Sequence, residues 1–190
     1  MKKSLLILTA VLGFSVAQAQ DASEIKYRAL DASPVDLLYF PLRAPNVKAD
    51  DPSMPIIRIN YSRPQKKGRV VFGEMEKFGA VWRLGANENT EIRFSKDVEI
   101  GGKNVAAGTY SMFAIPNKDA WTIIINKQTD RWGAFTYDEK QDLLRTDVPV
   151  TILSSPIESF SMMFAETTEG ANLYMAWDDT QVMLPIKFKK

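Results

Sequence analysis

The chain contains no cysteine and no histidine in its 190 residues. Without histidine there is no Ser-His-Asp or Cys-His machinery, no imidazole base near neutral pH, and no His-ligated zinc, copper or haem. Without cysteine there is no thiol nucleophile, disulfide, zinc ribbon, iron-sulfur cluster or lipidated N-terminal Cys. An excess of charge of either sign is missing too: 24 basic groups face 23 acidic ones. A dedicated nucleic-acid binder needs a basic surplus to collect phosphates, so no nucleic-acid partner is expected. What remains is chemistry by carboxylate, lysine, tyrosine or a serine-lysine pair, hard-cation binding through oxygen, or binding without catalysis. No cofactor and no metal site is expected.

Long apolar runs are also absent beyond the first residues. Lys2 and Lys3 precede an apolar stretch at 5–16, and Ala17-Gln18-Ala19 is a small-x-small cleavage site. Residues 1–19 therefore read as a secretory signal peptide, with export to the periplasm or beyond after cleavage near Ala19. An apolar run of about 12 residues is too short to span a bilayer, which takes ~20, and no later segment comes close. Removing the leader takes Lys2 and Lys3 with it and turns the formal net charge from +1 to −1. The remaining chain, roughly 170 residues, can bury about 70% of its unfolded surface as one domain. Without disulfides, the packed core must hold it together.

Proline is concentrated rather than spread. Pro34, Pro41, Pro45, Pro52 and Pro55 fall within residues 20–55, which also hold Asp50-Asp51 and the apolar run Leu37, Leu38, Tyr39, Phe40 and Leu42. This segment reads as an arm of short extended pieces packed on the domain. From residue 56 to 190 apolar side chains recur with period two, broken by turns every 8 to 12 residues. Ile57, Ile59 and Tyr61 alternate with Arg58 and Asn60, and Ile92 and Phe94 with Glu91, Arg93 and Ser95. Gly101-Gly102 supplies the positive φ of a tight hairpin. Residues 110–115 and 121–125 are apolar on both faces and read as central strands joined by the turn at 116–119. Phe160, Met162 and Phe164 share one face, and so do Leu173, Met175 and Trp177. Val182, Leu184, Ile186 and Phe188 form the final strand, with turns expected at Glu169-Gly170 and Asp178-Asp179. The fold class is all-β, a single antiparallel β-sandwich, jelly-roll-like, with one or two short helical turns at 74–78 and 138–143. The second has Asp138 and Gln141 at capping-box spacing.

Two polar loops carry the residues worth probing. The first, 82–90, holds Trp82, Arg83, Asn87 and Glu88, the residue types of a sugar site: an indole to stack on a pyranose, with amide, carboxylate and guanidinium to fix hydroxyls. The second, 126–133, adds Asn126 and Trp132. If the loops emerge at one end of the domain, the six line one cleft. The same residues also admit a structural reading, with Trp82 in the core and the asparagines bonding their own backbone. Glycoside hydrolysis needs two carboxylates about 5 to 9 Å apart. Glu88 is the weak catalytic candidate, with Asp130 or Asp138 as partner. Ser62 with Lys66 or Lys67 has no motif behind it, and Asp50-Asp51 and Asp178-Asp179 lack a calcium-loop pattern. The basic run Arg63, Lys66, Lys67 and Arg69 either meets an anionic partner or is a solvated turn.

Several blocks together have a family likeness. Tyr61-Ser62-Arg63-Pro64, Gly68-Arg69, Phe72-Gly73, Gly79-x-Val81-Trp82-Arg83-x-Gly85-Ala86-Asn87-Glu88, Ala107-Gly108-Thr109-Tyr110-Ser111 and Ile115-Pro116 closely resemble the bacterial family called domain of unknown function 2911. The likeness continues through Trp121-Thr122-Ile123-Ile124-Ile125-Asn126-Lys127, Trp132-Gly133, Tyr137-Asp138, Trp177-Asp178, Val182 and Pro185-Ile186, and covers the chain from about Ser33. It implies an exported, β-rich domain and carries no assigned activity, so no catalytic residues transfer from it. The sequence thus points to a non-catalytic binding module for a glycan or other cell-envelope ligand. A carboxylate-dependent glycan hydrolase and a structural or assembly protein of the envelope are the alternatives.

Overall fold

The computed structural model describes residues 25–44 and 55–189. The signal segment, Pro45, Pro52 and Asp50-Asp51 lie outside them. Residues 25–30 have no regular secondary structure, and the compact body begins at Asp31. No helix among the described residues is long and apolar enough to cross a membrane.

The body is all-β. Among the described residues nine strands run as β1 (Val35–Phe40), β2 (Ile57–Ser62), β3 (Thr90–Phe94), β4 (Val98–Ile100), β5 (Lys103–Val105), β6 (Gly108–Pro116), β7 (Ala120–Asn126), β8 (Asp142–Glu166) and β9 (Gly170–Phe188). All pair antiparallel in one sheet of order β1-β2-β3-β6-β7-β8-β9-β4-β5. This is a meander with one hairpin, β4–β5, carried to the far edge, a simpler winding than the two Greek keys of a jelly roll. Gly101 and Gly102, at φ 56° and 75°, make that hairpin's turn, and glycine adopts such positive φ values without strain.

Alternation decides the faces. Ile57, Ile59 and Tyr61 on β2, Ile92 and Phe94 on β3, and Val98 and Ile100 on β4 point into one core. That core also takes Phe160, Phe164, Trp177 and Leu184 from β8 and β9. The two ends of the sheet meet through it: Phe40 lies 5.6 Å from Phe164 and 5.4 Å from Phe188, and Tyr61 is edge-on to Phe160 at 5.7 Å. β6 and β7 are apolar on both faces because Phe113, on the face away from that core, meets Tyr137 from the 127–141 connection, edge-on at 5.1 Å.

The last two strands are longer than turn chemistry implies. β8 pairs with β7 up to Pro149 and with β9 from Val150 onward, with irregularities between Ile152 and Ser161. The turn expected at Asp178-Asp179 does not form. Asp178 takes φ 54° inside β9, opposite the irregular stretch of β8, and its carboxylate is ion-paired with the half-buried Lys66. A distant partner thus turns a turn-forming residue into a bulge. Residues 74–78 are turns and not helix; Met75 and Glu76 N–H groups donate back to Val70 and Val71 carbonyls. The second expected turn is a 3-10 helix at Glu139–Gln141, capped by the Asp138 side chain accepting from Lys140 N–H.

The basic run is held by the body itself. Arg63 bonds Asp36 at 3.1 Å and donates to Phe160 O and Ser161 Oγ, Lys66 pairs with Asp178, and Arg69 donates to Lys66 and Gln65 carbonyls. These contacts anchor the long 63–89 connection, which has no strand of its own, onto β8 and β9. Connections of that length inside a compact body are uncommon and are often functional.

Candidate functional site

The two polar loops meet. Glu88 and Trp132 form an antiparallel bridge, Asn89 N–H donates to Arg131 O at 3.1 Å, and Arg131 N–H returns to Asn89 Oδ1 at 2.8 Å. Asn89 Nδ2 reaches Ser111 Oγ at 2.6 Å, and that hydroxyl donates to Gln128 O. Buried Asn89, a residue the sequence reading left out, is therefore the pin between the loops. Asp130 N–H adds a bond to Glu91 Oε1 at 2.7 Å.

The 82–90 segment is wound tightly. Leu84 and Asn87 sit at φ 54° and 59°, ordinary for asparagine and strained for a leucine. Leu84 is fully buried, and its carbonyl accepts from Thr90 Oγ1 at 2.5 Å. Gly85 leaves no room for a side chain, since a Cβ there would lie 2.9 Å from Ser62 O. The winding sets the side chains of this block at different depths.

Two of the six expected ligand residues serve the fold instead. Trp82 is buried, stacked on Trp177 at 5.9 Å, with its Nε1–H donating to Gly85 O at 3.2 Å. Phe72, Trp121, Phe160 and Trp177 pack around the indole and leave it 3% exposed, at the edge of the cleft beside the loops. Asn126 is wholly buried; its Nδ2 donates to Asp138 O and Asp142 Oδ1, and its Oδ1 accepts from Gln128 N–H. An amide so satisfied has nothing left to offer a ligand. Arg83 and Asn87 are half-buried, and Glu88 and Trp132 are exposed.

Beside the paired loops lies an open cleft of about 600 Å³ whose lining includes Arg69, Met75, Glu76, Arg83, Ala134 and Phe135. Arg83 and Phe135 flank Gly133: the space a Cβ would take there is 3.0 Å from Arg83 Nη1 and 3.2 Å from the Phe135 ring. The cleft is lined from 64–86, from Ala134 and Phe135, and from Ser33 and Trp177; Trp82 and Arg83 border it, while Asn87, Glu88, Asn126 and Trp132 do not line it. Glu76 and Phe135 carry no motif in the sequence. Phe135 offers only its place three residues past Trp132, and Glu76 is one acid among 23.

Burial pushes the Glu76 carboxyl up to about 7, against the pull of the Arg83 charge. The folded state therefore holds this proton more tightly than the unfolded chain. The resulting stabilisation is present below the ordinary carboxylate range and is lost as pH rises toward 7. Glu76→Gln, which cannot ionise, is expected to be more stable than wild type by on the order of 1–2 kcal/mol at pH 8 after solvent screening. The gap should close at pH 5. Melting curves at both pH values check this, and a gap that does not change with pH contradicts it.

Among the described residues no three His, Cys, Asp or Glu side chains converge to hold a metal. A family model described as protein of unknown function (DUF2911) matches residues 46–186. No curated protein and no solved structure matches the chain. The protein belongs to the DUF2911 family.

Proposed function

We propose that this DUF2911 member is an exported, non-catalytic binding module for a glycan or other cell-envelope ligand, and that it binds at the cleft beside Arg83. The observation that carries the reading is the exposed Phe135 ring set beside the Arg83 guanidinium over an open cleft, with Trp132 exposed on the adjoining paired loop. Trp132 and Phe135 are 61% and 81% exposed. Large rings left in water beside polar donors suit a pyranose, whose C–H face stacks on an aromatic ring while its hydroxyls take hydrogen bonds. Export rests on the N-terminal sequence pattern. Hydrolysis is less well supported, because it needs two flanking carboxylates and among the described residues Glu76 is the only one lining the cleft. An assembly role draws its support from β1, an edge strand with Val35 and Leu37 exposed, since such edges recruit further chains.

A glycan array followed by calorimetry tests the binding reading. The double variant Trp132→Ala, Phe135→Ala is expected to weaken binding at least tenfold, with a melting temperature within about 2 °C of wild type because both rings are exposed. Equal affinity in the double variant, or no bound saccharide or envelope component, would remove the proposal.

A further inference from the structure

We infer that the saccharide taken by this cleft is acidic, with a carboxylate received by Arg83; the inference rests on the binding-module reading above. Several basic side chains of this protein are matched within it. Arg63, Lys66, Arg145 and Lys187 each pair with a carboxylate, and Arg69 spends its donors on backbone carbonyls. Arg83 is different. Its Nε donates to Gly85 O at 3.3 Å, and among the described residues neither Nη atom meets an acceptor or an acid within ion-pair distance.

That one hydrogen bond fixes the guanidinium without using its fork. The half-buried group is partly stripped of water, so its unmatched donors are costly to leave empty. A planar fork with its terminal N–H groups free matches the two oxygens of a carboxylate. The cleft's charge agrees in sign: Arg69 and Arg83 line it against the single acid Glu76. Position agrees as well. Arg83 Nη1 and the Phe135 ring approach the same face of Gly133, so a sugar ring resting on Phe135 brings a substituent one bond away toward the guanidinium. In a uronic acid that substituent is the C5 carboxylate. A neutral hexose puts a hydroxymethyl group there and leaves the positive charge unanswered.

The test compares oligomers of galacturonate, glucuronate and mannuronate with their own methyl esters, which keep shape and lose charge. Calorimetry on the wild-type protein is expected to show at least one free acid binding tenfold or more tighter than its ester. In Arg83→Gln that ratio should fall to about one. Arg83→Lys, which keeps charge and loses the fork, should retain only part of it and guards against a folding defect in the glutamine variant. Acids and esters binding alike in wild type, or a preference that survives in Arg83→Gln, overturns the inference. Esters that still bind through Trp132 and Phe135 leave the binding-module reading intact in that event. If neither form binds, the inference falls, and the binding-module reading is decided separately by the glycan array.

Discussion

Gly170→Ala is expected to destabilise the protein by about 3 kcal/mol, toward the upper end of what overpacking costs, and to lower its melting temperature by roughly 6–12 °C. β9 curls until its ends meet. Phe188 N–H donates to Glu169 O at 2.8 Å, and Lys187 Nζ pairs with Glu169 Oε2 at 3.0 Å. Gly170 is buried at that junction. A Cβ on it would fall inside the envelope of the Ile186 carbonyl oxygen, 3.1 Å from Ile186 C and 3.0 Å from Lys187 Cα. Every neighbour is backbone, so no flexible side chain can swing aside. Either the β8–β9 hairpin opens, or the end of β9 leaves β4, to which it is paired at Val98↔Phe188 and Glu99↔Lys187. Gly102→Ala is the control. That position has φ 75° and nothing within 4 Å, so alanine there bears only the left-handed backbone cost of about 1–2 kcal/mol. Thermal unfolding of both decides the matter. A Gly170→Ala loss no larger than that of Gly102→Ala would mean the junction is not closed as described.

The strands were legible because their rule is local. Period-two apolarity located β2, β3 and β4, and the doubly apolar runs located β6 and β7. Gly101-Gly102 marked its turn because glycine takes the two positive φ values of a tight hairpin without strain. Asp178-Asp179 misled for the opposite reason. Aspartate favours turns through bonds to its own backbone, yet Asp178 has Lys66 as a partner 112 residues away in sequence. The curl of β9 was equally unreadable, since Gly170 looks the same in sequence whether it makes a turn or admits a neighbouring chain.

The site was half legible. The loop residues were found by type, and their meeting follows from register: β3 starts opposite Met112 of β6 and β7 ends opposite Ser111, so the entry to β3 and the exit from β7 reach the same level of the sheet. Ser111 on β6 stands between them, opposite Glu91 on one side and Asn126 on the other. Had that register been known, the contact of the two loops would have followed. Depth could not follow, because composition alone does not say which of Trp82 and Trp132 faces inward.

That distinction is open to a direct measurement. Trp82→Ala is expected to cost about 3–5 kcal/mol, the range for deleting a large buried aromatic, and to lower the melting temperature by roughly 6–20 °C. Trp82 packs within 5.0 Å of Phe160, 5.6 Å of Trp121, 5.7 Å of Phe72 and 5.9 Å of Trp177. Its backbone also pairs with Ala114 in both directions, at 2.7 and 2.9 Å, extending the sheet beside β6 beyond the end of β3. Truncation would leave a cavity among rings drawn from the 63–89 connection, β7, β8 and β9. Those elements close the core under the cleft, so Arg83, the next residue, would lose its support along with them. Trp82→Phe keeps a ring and loses the Nε1–H bond to Gly85, and should fall between alanine and wild type. A ligand platform would behave in reverse, with affinity lost and melting temperature kept, as expected for Trp132→Ala. If Trp82→Ala melts within about 2 °C of wild type, the indole is not the keystone of this core. The two tryptophans of one paired loop system would then have exchanged the roles that their burial assigns them.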